Sequence, residues 1–137
     1  MSLVLDSSAT LAWILADETA PAIARVFEAV AERGAVVPGL WWLEVANGLT
    51  MAVRRQRIDA EFRRAALSDL AVLDISTDPA TASQAWADTL RLADRHRLTV
   101  YDAAYLELAC RRGLPLASLD RELREAGASE GVAVLAQ

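Results

Sequence analysis

Apolar positions along the chain fall into two alternating kinds of segment, short unbroken runs and longer stretches repeating at helical spacing. Leu3 to Leu5 is a short run, closed by Asp6, after which Ser7 or Ser8 can cap a helix carrying Leu11, Ile14 and Leu15. A second helix is predicted from about Ala20 to Arg33, with Ile23, Val26, Phe27 and Val30 on one face and Gly34 as its stop. Ala35 to Val37 reads as the next strand. Pro38 and Gly39 then turn the chain into a long helix from Leu40 to about Gln56, with Glu44 in its first turns. Asp59 is placed to cap a helix through about Leu70, and Val72 to Ile75 is a third candidate strand. Asp78 followed by Pro79 signals one further helix to about His96, with Ala82, Ala85, Trp86, Thr89, Leu90 and Ala93 facing inward.

The most organised stretch is TVYDAAYLELACRRGLPLASLD, Thr99 to Asp120. Thr99 can cap a helix whose first turn holds Asp102, and Tyr105, Leu106, Leu108 and Ala109 continue it to the stop at Gly113. Leu114 to Ala117 is then a buried strand, Asp120 lies just past its carboxyl end, and a helix-like segment follows from Arg121 to Ala126. Val132 to Leu135 is a possible edge strand. Strands alternating with helices predict an α/β fold with a mostly parallel sheet, covered on both faces and joined by right-handed crossovers. With 137 residues and no internal repeat or linker, the chain suits one domain over residues 1–137.

Composition narrows the class. The hydrophobic fraction of 54% means that much of the chain is buried against itself or a partner, which favours oligomerisation. No apolar run reaches the about 18 residues that span a bilayer, and the start lacks a basic leader, so a cytosolic protein with no membrane partner is expected. The lone Cys110 excludes an intrachain disulfide, and its apolar helical surroundings point to core rather than nucleophile. The formal charge of −5 opposes a general nucleic-acid-coating protein but leaves a nuclease open, because clustered carboxylates are themselves a source of negative charge. All 14 basic residues are arginine, and several are grouped, at Arg54, Arg55 and Arg57, at Arg63 and Arg64, around His96, and at Arg111 and Arg112. Solvated helix faces explain such groups, and phosphate contact is the alternative.

Four acids stand out by position: Asp6 and Asp120 after strands, Glu44 and Asp102 in the first turns of helices. In a doubly wound sheet all four converge on one rim. Carboxylates brought together need hydrogen bonds, protons or a divalent cation to offset their repulsion, and magnesium or manganese suits an all-oxygen donor set. Each acid also has a structural alternative. Asp6 and Asp120 are potential N-caps, Asp102 completes a Thr99-x-x-Asp102 capping box, and Glu44 favours a helix N-terminus. His96, the only histidine, has no serine or cysteine partner for a nucleophilic triad, and there is no Walker loop or GxGxxG. Adjacent Trp41 and Trp42 cannot both face one core, so one meets a partner or lies under a loop.

Four segments, VLDSSA, LEVANGL, TVYDAAYLELACRRGLPLASLD and GVAVL, resemble PIN-domain ribonucleases of the VapC toxin type over nearly the whole chain. The third is the most specific, an ordered pattern of Tyr-Asp-Ala-x-Tyr, Leu-Ala, Gly-x-Pro-Leu and Asp. The resemblance implies a three-layer α/β/α sandwich and a metal-dependent endoribonuclease using Mg2+ or Mn2+. Carried over by position, the acids are Asp6, Glu44, Asp102 and Asp120, all potential metal ligands, with Ser8 and Asn47 as orienting residues. Ser118 stands where an additional acid occurs in some branches, which leaves one metal or two open. An RNA substrate, a cognate antitoxin and a homodimer are further implications, with the arginines near Arg54 to Arg57 and Arg111 to Arg112 the first places to seek RNA. Two other readings stand beside this one: a PIN-like module that binds RNA or a partner without catalysis, and a phosphatase with Asp6 as nucleophile. The second lacks support, because the position two residues after Asp6 is Ser8.

Overall fold

The computed structural model describes residues 2–136. Five parallel strands form one sheet in the order β3-β2-β1-β4-β5: β1 (Leu3–Leu5), β2 (Ala35–Val37), β3 (Ile75–Thr77), β4 (Leu116–Ala117) and β5 (Val134–Leu135). The three central strands are buried throughout and the two edges are not, as expected where helices cover both faces of a parallel sheet. Eight helices among the described residues complete the three layers: α1 (Ser7–Leu15), α2 (Pro21–Arg33), α3 (Leu40–Arg54), α4 (Ala60–Ala71), α5 (Thr81–Gln84), α6 (Asp88–His96), α7 (Val100–Arg112) and α8 (Arg121–Ser129). None is long and apolar enough to cross a membrane. The strand order reverses direction between β1 and β4, so the crevice at their carboxyl ends is the topological switch point.

The face predicted for α2 is the one it buries, Ile23, Val26, Phe27 and Val30. The helix α7 lies deepest, with every residue from Ala103 to Ala109 buried between α6, α8 and β1. Its caps are those the sequence predicts: Thr99 accepts from the Asp102 amide at 3.1 Å, and Gly113 ends it in the left-handed conformation. Asp59 likewise caps α4 by accepting from Phe62 N at 2.8 Å. At the crossing of α1 and α3, a Cβ on Gly48 would lie 2.5 Å from Leu11, so glycine there lets the two helices close up and brings Ser7 beside Glu44.

Three expectations are corrected. Asp78 to His96 is not one helix. Ala87, at φ −120° and ψ −108°, separates α5 from α6 and breaks the phase of the pattern. Trp86, expected inward, is 91% exposed, Leu90 is also exposed, and the buried face of α6 is Thr89, Leu92 and Ala93. The third strand starts at Ile75 rather than Val72, because α4 runs on to Ala71 and leaves Val72 exposed at its end. Cys110, placed in the core by its surroundings, is exposed in the last turns of α7. Of the two tryptophans, Trp41 is buried and donates to Thr10 Oγ1 at 3.2 Å, while half-exposed Trp42 donates to Thr77 Oγ1 at 2.8 Å.

Arg111 has a structural role instead of a free surface. Its guanidinium makes paired bonds to buried Glu107, at 2.7 and 3.2 Å, and to buried Asp78, at 2.6 and 3.3 Å. Burial pushes the Asp78 carboxyl up, but the bonds from Arg111 and Thr81 outweigh it and hold that group below the usual carboxylate range. Replacing Arg111 leaves Glu107 buried without a cation and leaves Asp78 only the longer 3.8 Å contact with Arg112. Arg111→Met should therefore lower the unfolding free energy by about 3 kcal/mol or more in urea denaturation; a loss under about 1 kcal/mol would show that the cluster relaxes to water.

Candidate active site

Asp6 follows the central strand directly and is only 3% exposed. It occupies the N-cap position of α1, yet its side chain makes no cap bond. Instead Oδ2 accepts from Ser8 Oγ at 2.6 Å and from Ser118 Oγ at 2.7 Å. The two hydroxyls in turn accept backbone amides, Leu119 N on Ser8 at 3.0 Å and Asp120 N on Ser118 at 3.0 Å. Asp6 thus holds the loop after β4 through two serine bridges. From the far side Arg124 Nη1 donates to the carbonyls of Ser118 and Leu135, at 2.6 and 2.7 Å.

The other three acids come in from separate helices. Asp120 caps α8, its Oδ1 accepting from Leu123 N at 2.9 Å. Asp102 lies half-buried in the first turn of α7. Glu44 Oε1 accepts from Tyr105 Oη at 2.6 Å and from Ser7 Oγ at 3.3 Å. Asn47 is exposed and makes no hydrogen bond to Glu44 among the described residues. Of the three capping alternatives raised by the sequence, two are present, with Asp120 capping through its side chain and Thr99 capping the Asp102 amide, while Asp6 makes no side-chain cap bond.

Electrostatics show that the acids share one field. Burial raises the Asp6 carboxyl above its usual range, the Ser8 and Ser118 hydroxyls pull it back in part, and the charge of Glu44 pushes it up again. Asp102 is raised by burial first, then by the charges of Asp120 and Asp6. Burial and Glu44 push the Tyr105 phenol up as well, so its hydroxyl stays a donor. Among the described residues no arginine or histidine makes an ion pair with these four acids, in contrast to Asp78 and Glu107.

The donor set is all oxygen, which suits a hard divalent cation. Among the described residues, however, no three acids, histidines or cysteines are gathered closely enough to form a ready cage. The residues fit a hydrated ion of the magnesium type, held by one or two carboxylates and completed by water and substrate oxygens, and do not fit a dry protein cage.

Comparison with known proteins agrees with the fold. A PIN domain model matches residues 3–128. Ribonuclease VapC3 of Pyrobaculum aerophilum is 32% identical over 125 residues, covering 91% of this chain and 94% of that protein. The chain belongs to the PIN-domain family, in its VapC ribonuclease type. The crystal structure of PAE2754 from Pyrobaculum aerophilum superposes with a TM-score of 0.71 at 26% identity, over 98% of this chain and 90% of that one.

Sequence reasoning missed Ser7 and Tyr105 as members of the site. Tyr105 reads by periodicity as one more apolar position on α7, and the signals against that are its place in the Tyr-Asp-Ala-x-Tyr pattern and the need of a buried phenol for a hydroxyl partner. Arg124 also escaped notice, because it touches backbone only.

The pH dependence of this PIN domain follows from two opposite shifts. Asp6 and Asp102, raised in the folded state, bind their protons more tightly there than unfolded, so metal-free stability increases as pH falls from neutral through their raised range. Asp78, lowered, contributes stability that is lost as pH falls through its own value. Urea denaturation should place the optimum on the mildly acidic side. Asp6→Asn should flatten the limb toward neutral pH and be at least as stable as wild type at pH 7 without metal; a less stable variant there would contradict the assignment.

Proposed function

We propose that this chain is a divalent-metal-dependent endoribonuclease hydrolysing RNA phosphodiester bonds as the toxin of a type II toxin-antitoxin pair. It would act as one domain over residues 1–137 in the cytoplasm. The observation that carries the reading is a pair of carboxylates at the switch point, Asp6 and Asp102, raised by burial and by the charges of neighbouring acids, with no ion pair to a protein cation among the described residues, in a chain of the VapC ribonuclease type. Asp6, Asp102 and Asp120 would hold Mg2+ or Mn2+ directly or through water, and Glu44 would bind it or help place the attacking water. Bound there, the cation supplies charge to offset the developing negative phosphate and lowers the proton affinity of its water.

The protein's own contribution is orientation. Ser8 and Ser118 keep one oxygen of Asp6 engaged and so set the direction of the other. Asp120 is held by its cap bond to Leu123, which leaves Oδ2 available. Asn47, exposed one turn beyond Glu44, is suited to a substrate contact more than to orienting that acid. Arg54, Arg55 and Arg57 are exposed at the end of α3 and remain candidates for phosphate contact, whereas Arg111 is committed to Asp78 and Glu107. Partners in this reading are the RNA, a cognate antitoxin whose tail covers the acids, and a second copy in a homodimer.

One observation favours a rival reading, a PIN-like module that binds RNA or a partner without cutting: no three-acid cage exists among the described residues. Incubation with structured RNAs in Mn2+, Mg2+ or EDTA separates the two. Discrete metal-dependent cleavage is expected, and Asp6→Asn should reduce it by more than the roughly 10- to 100-fold typical of residues that merely orient a ligand. Intact RNA in every lane, from folded protein free of antitoxin, would favour the binding module; wild-type rates in Asp6→Asn would remove Asp6 from the mechanism.

A further inference from the structure

We propose that Tyr105 is a positioning residue for the reaction, fixing which oxygen of Glu44 faces the reacting centre. The inference rests on the role given to Glu44 above. Both protein hydrogen bonds to that carboxylate fall on the same atom: Tyr105 Oη donates to Oε1 at 2.6 Å, and Ser7 Oγ donates to Oε1 at 3.3 Å. Among the described residues no protein group bonds Oε2. A carboxylate with one oxygen saturated by hydroxyls presents the other as a single, directed acceptor.

The geometry gives the phenol better leverage than the serine. Tyr105 is fully buried in the middle of α7, so its ring is fixed by packing and its hydroxyl has no freedom to seek water. It also reaches from α7 to α3, across 61 positions of sequence, and so ties the helix that carries Asp102 to the helix that carries Glu44. Ser7, by contrast, makes the longer bond and is half-buried beside Asp6. Asp6 is oriented by the same device, both of its side-chain donors falling on Oδ2.

Tyr105→Phe removes one oxygen and keeps the ring. The test compares wild type, Tyr105→Phe, Glu44→Gln and the double variant, by calorimetric titration with Mn2+ alone and by RNA cleavage kinetics, with thermal unfolding as the folding control. Tyr105→Phe should weaken Mn2+ binding and lower kcat by about 10- to 100-fold, the usual cost of losing a group that orients a ligand. KM for RNA should stay within about twofold, and the substitution should cause no further loss in the Glu44→Gln background. Ser7→Ala, which keeps the ring and the phenol, should give a smaller effect of the same sign; it carries the test if Tyr105→Phe fails to fold. Wild-type Mn2+ binding and kcat in Tyr105→Phe would overturn the proposal, as would an equal loss with and without Glu44. If Glu44→Gln is silent while Asp6→Asn abolishes cleavage, the Tyr105 proposal falls and the nuclease reading stands. If both are silent, both fall.

Discussion

A carboxylate buried at the carboxyl end of the central strand is the constraint on which the rest of this structure depends. Asp6 is almost fully removed from water and has no cation beside it among the described residues, so its charge is tolerated through hydrogen bonds. Those bonds come from Ser8, at the start of α1, and Ser118, just after β4, which places a donor on each side of the crevice. Because the same hydroxyls accept the amides of Leu119 and Asp120, the need to satisfy one carboxylate fixes the loop that carries another. The strand order 3-2-1-4-5 is what makes this possible, since only at the reversal do the connections leave β1 and β4 for opposite faces and open a gap between them.

Two groups of buried acids in the same molecule show how differently that demand can be met. Asp78 and Glu107 are closed off by Arg111, whose fork satisfies both carboxylates, and Asp78 is held below its usual range as a result. Asp6 and Asp102 have only neutral donors and one another's neighbours, and both are pushed upward. The first group is electrostatically complete within the chain. The second carries a standing preference for positive charge that the fold itself does not answer, as expected where stability is held below its optimum for the sake of binding.

Most of the fold was legible because its central strands and helices follow simple periods. Leu3–Leu5 and Ala35–Val37 are uniform apolar runs, and α2, α4 and α7 start or stop at residues whose backbone roles are unambiguous. The parts that escaped lie where burial is partial. Strand β3, at the edge, carries Ser76 and Thr77 in place of an apolar run, and the helical pattern after Asp78 loses phase at Ala87, so Trp86 was turned inward on paper and outward in fact. The four acids could be placed at one rim from topology alone. Ser8, two residues from Asp6, was legible as a group that bonds it, but the roles of Ser118 and Tyr105 were not, because they lie 112 and 61 positions from the acids they bond and no local pattern encodes a contact at that range.

Helix α7 joins the site to the rest of the core through its rotation. At about 100° per residue, Tyr105 and Glu107 point roughly 200° apart around its axis, nearly to opposite sides. One side is bonded to Glu44 on α3, and the other, through Arg111, to Asp78 after β3. A helix buried along seven successive residues has no amphipathic stripe to set its angle, so apolar packing alone leaves its rotation weakly specified. Polar bonds on two opposite sides remove that freedom. The direction of Asp102, one turn before Tyr105, is thereby set by two separate sets of bonds on opposite sides of the helix, which explains why so apolar a helix keeps a tyrosine and a glutamate in its interior.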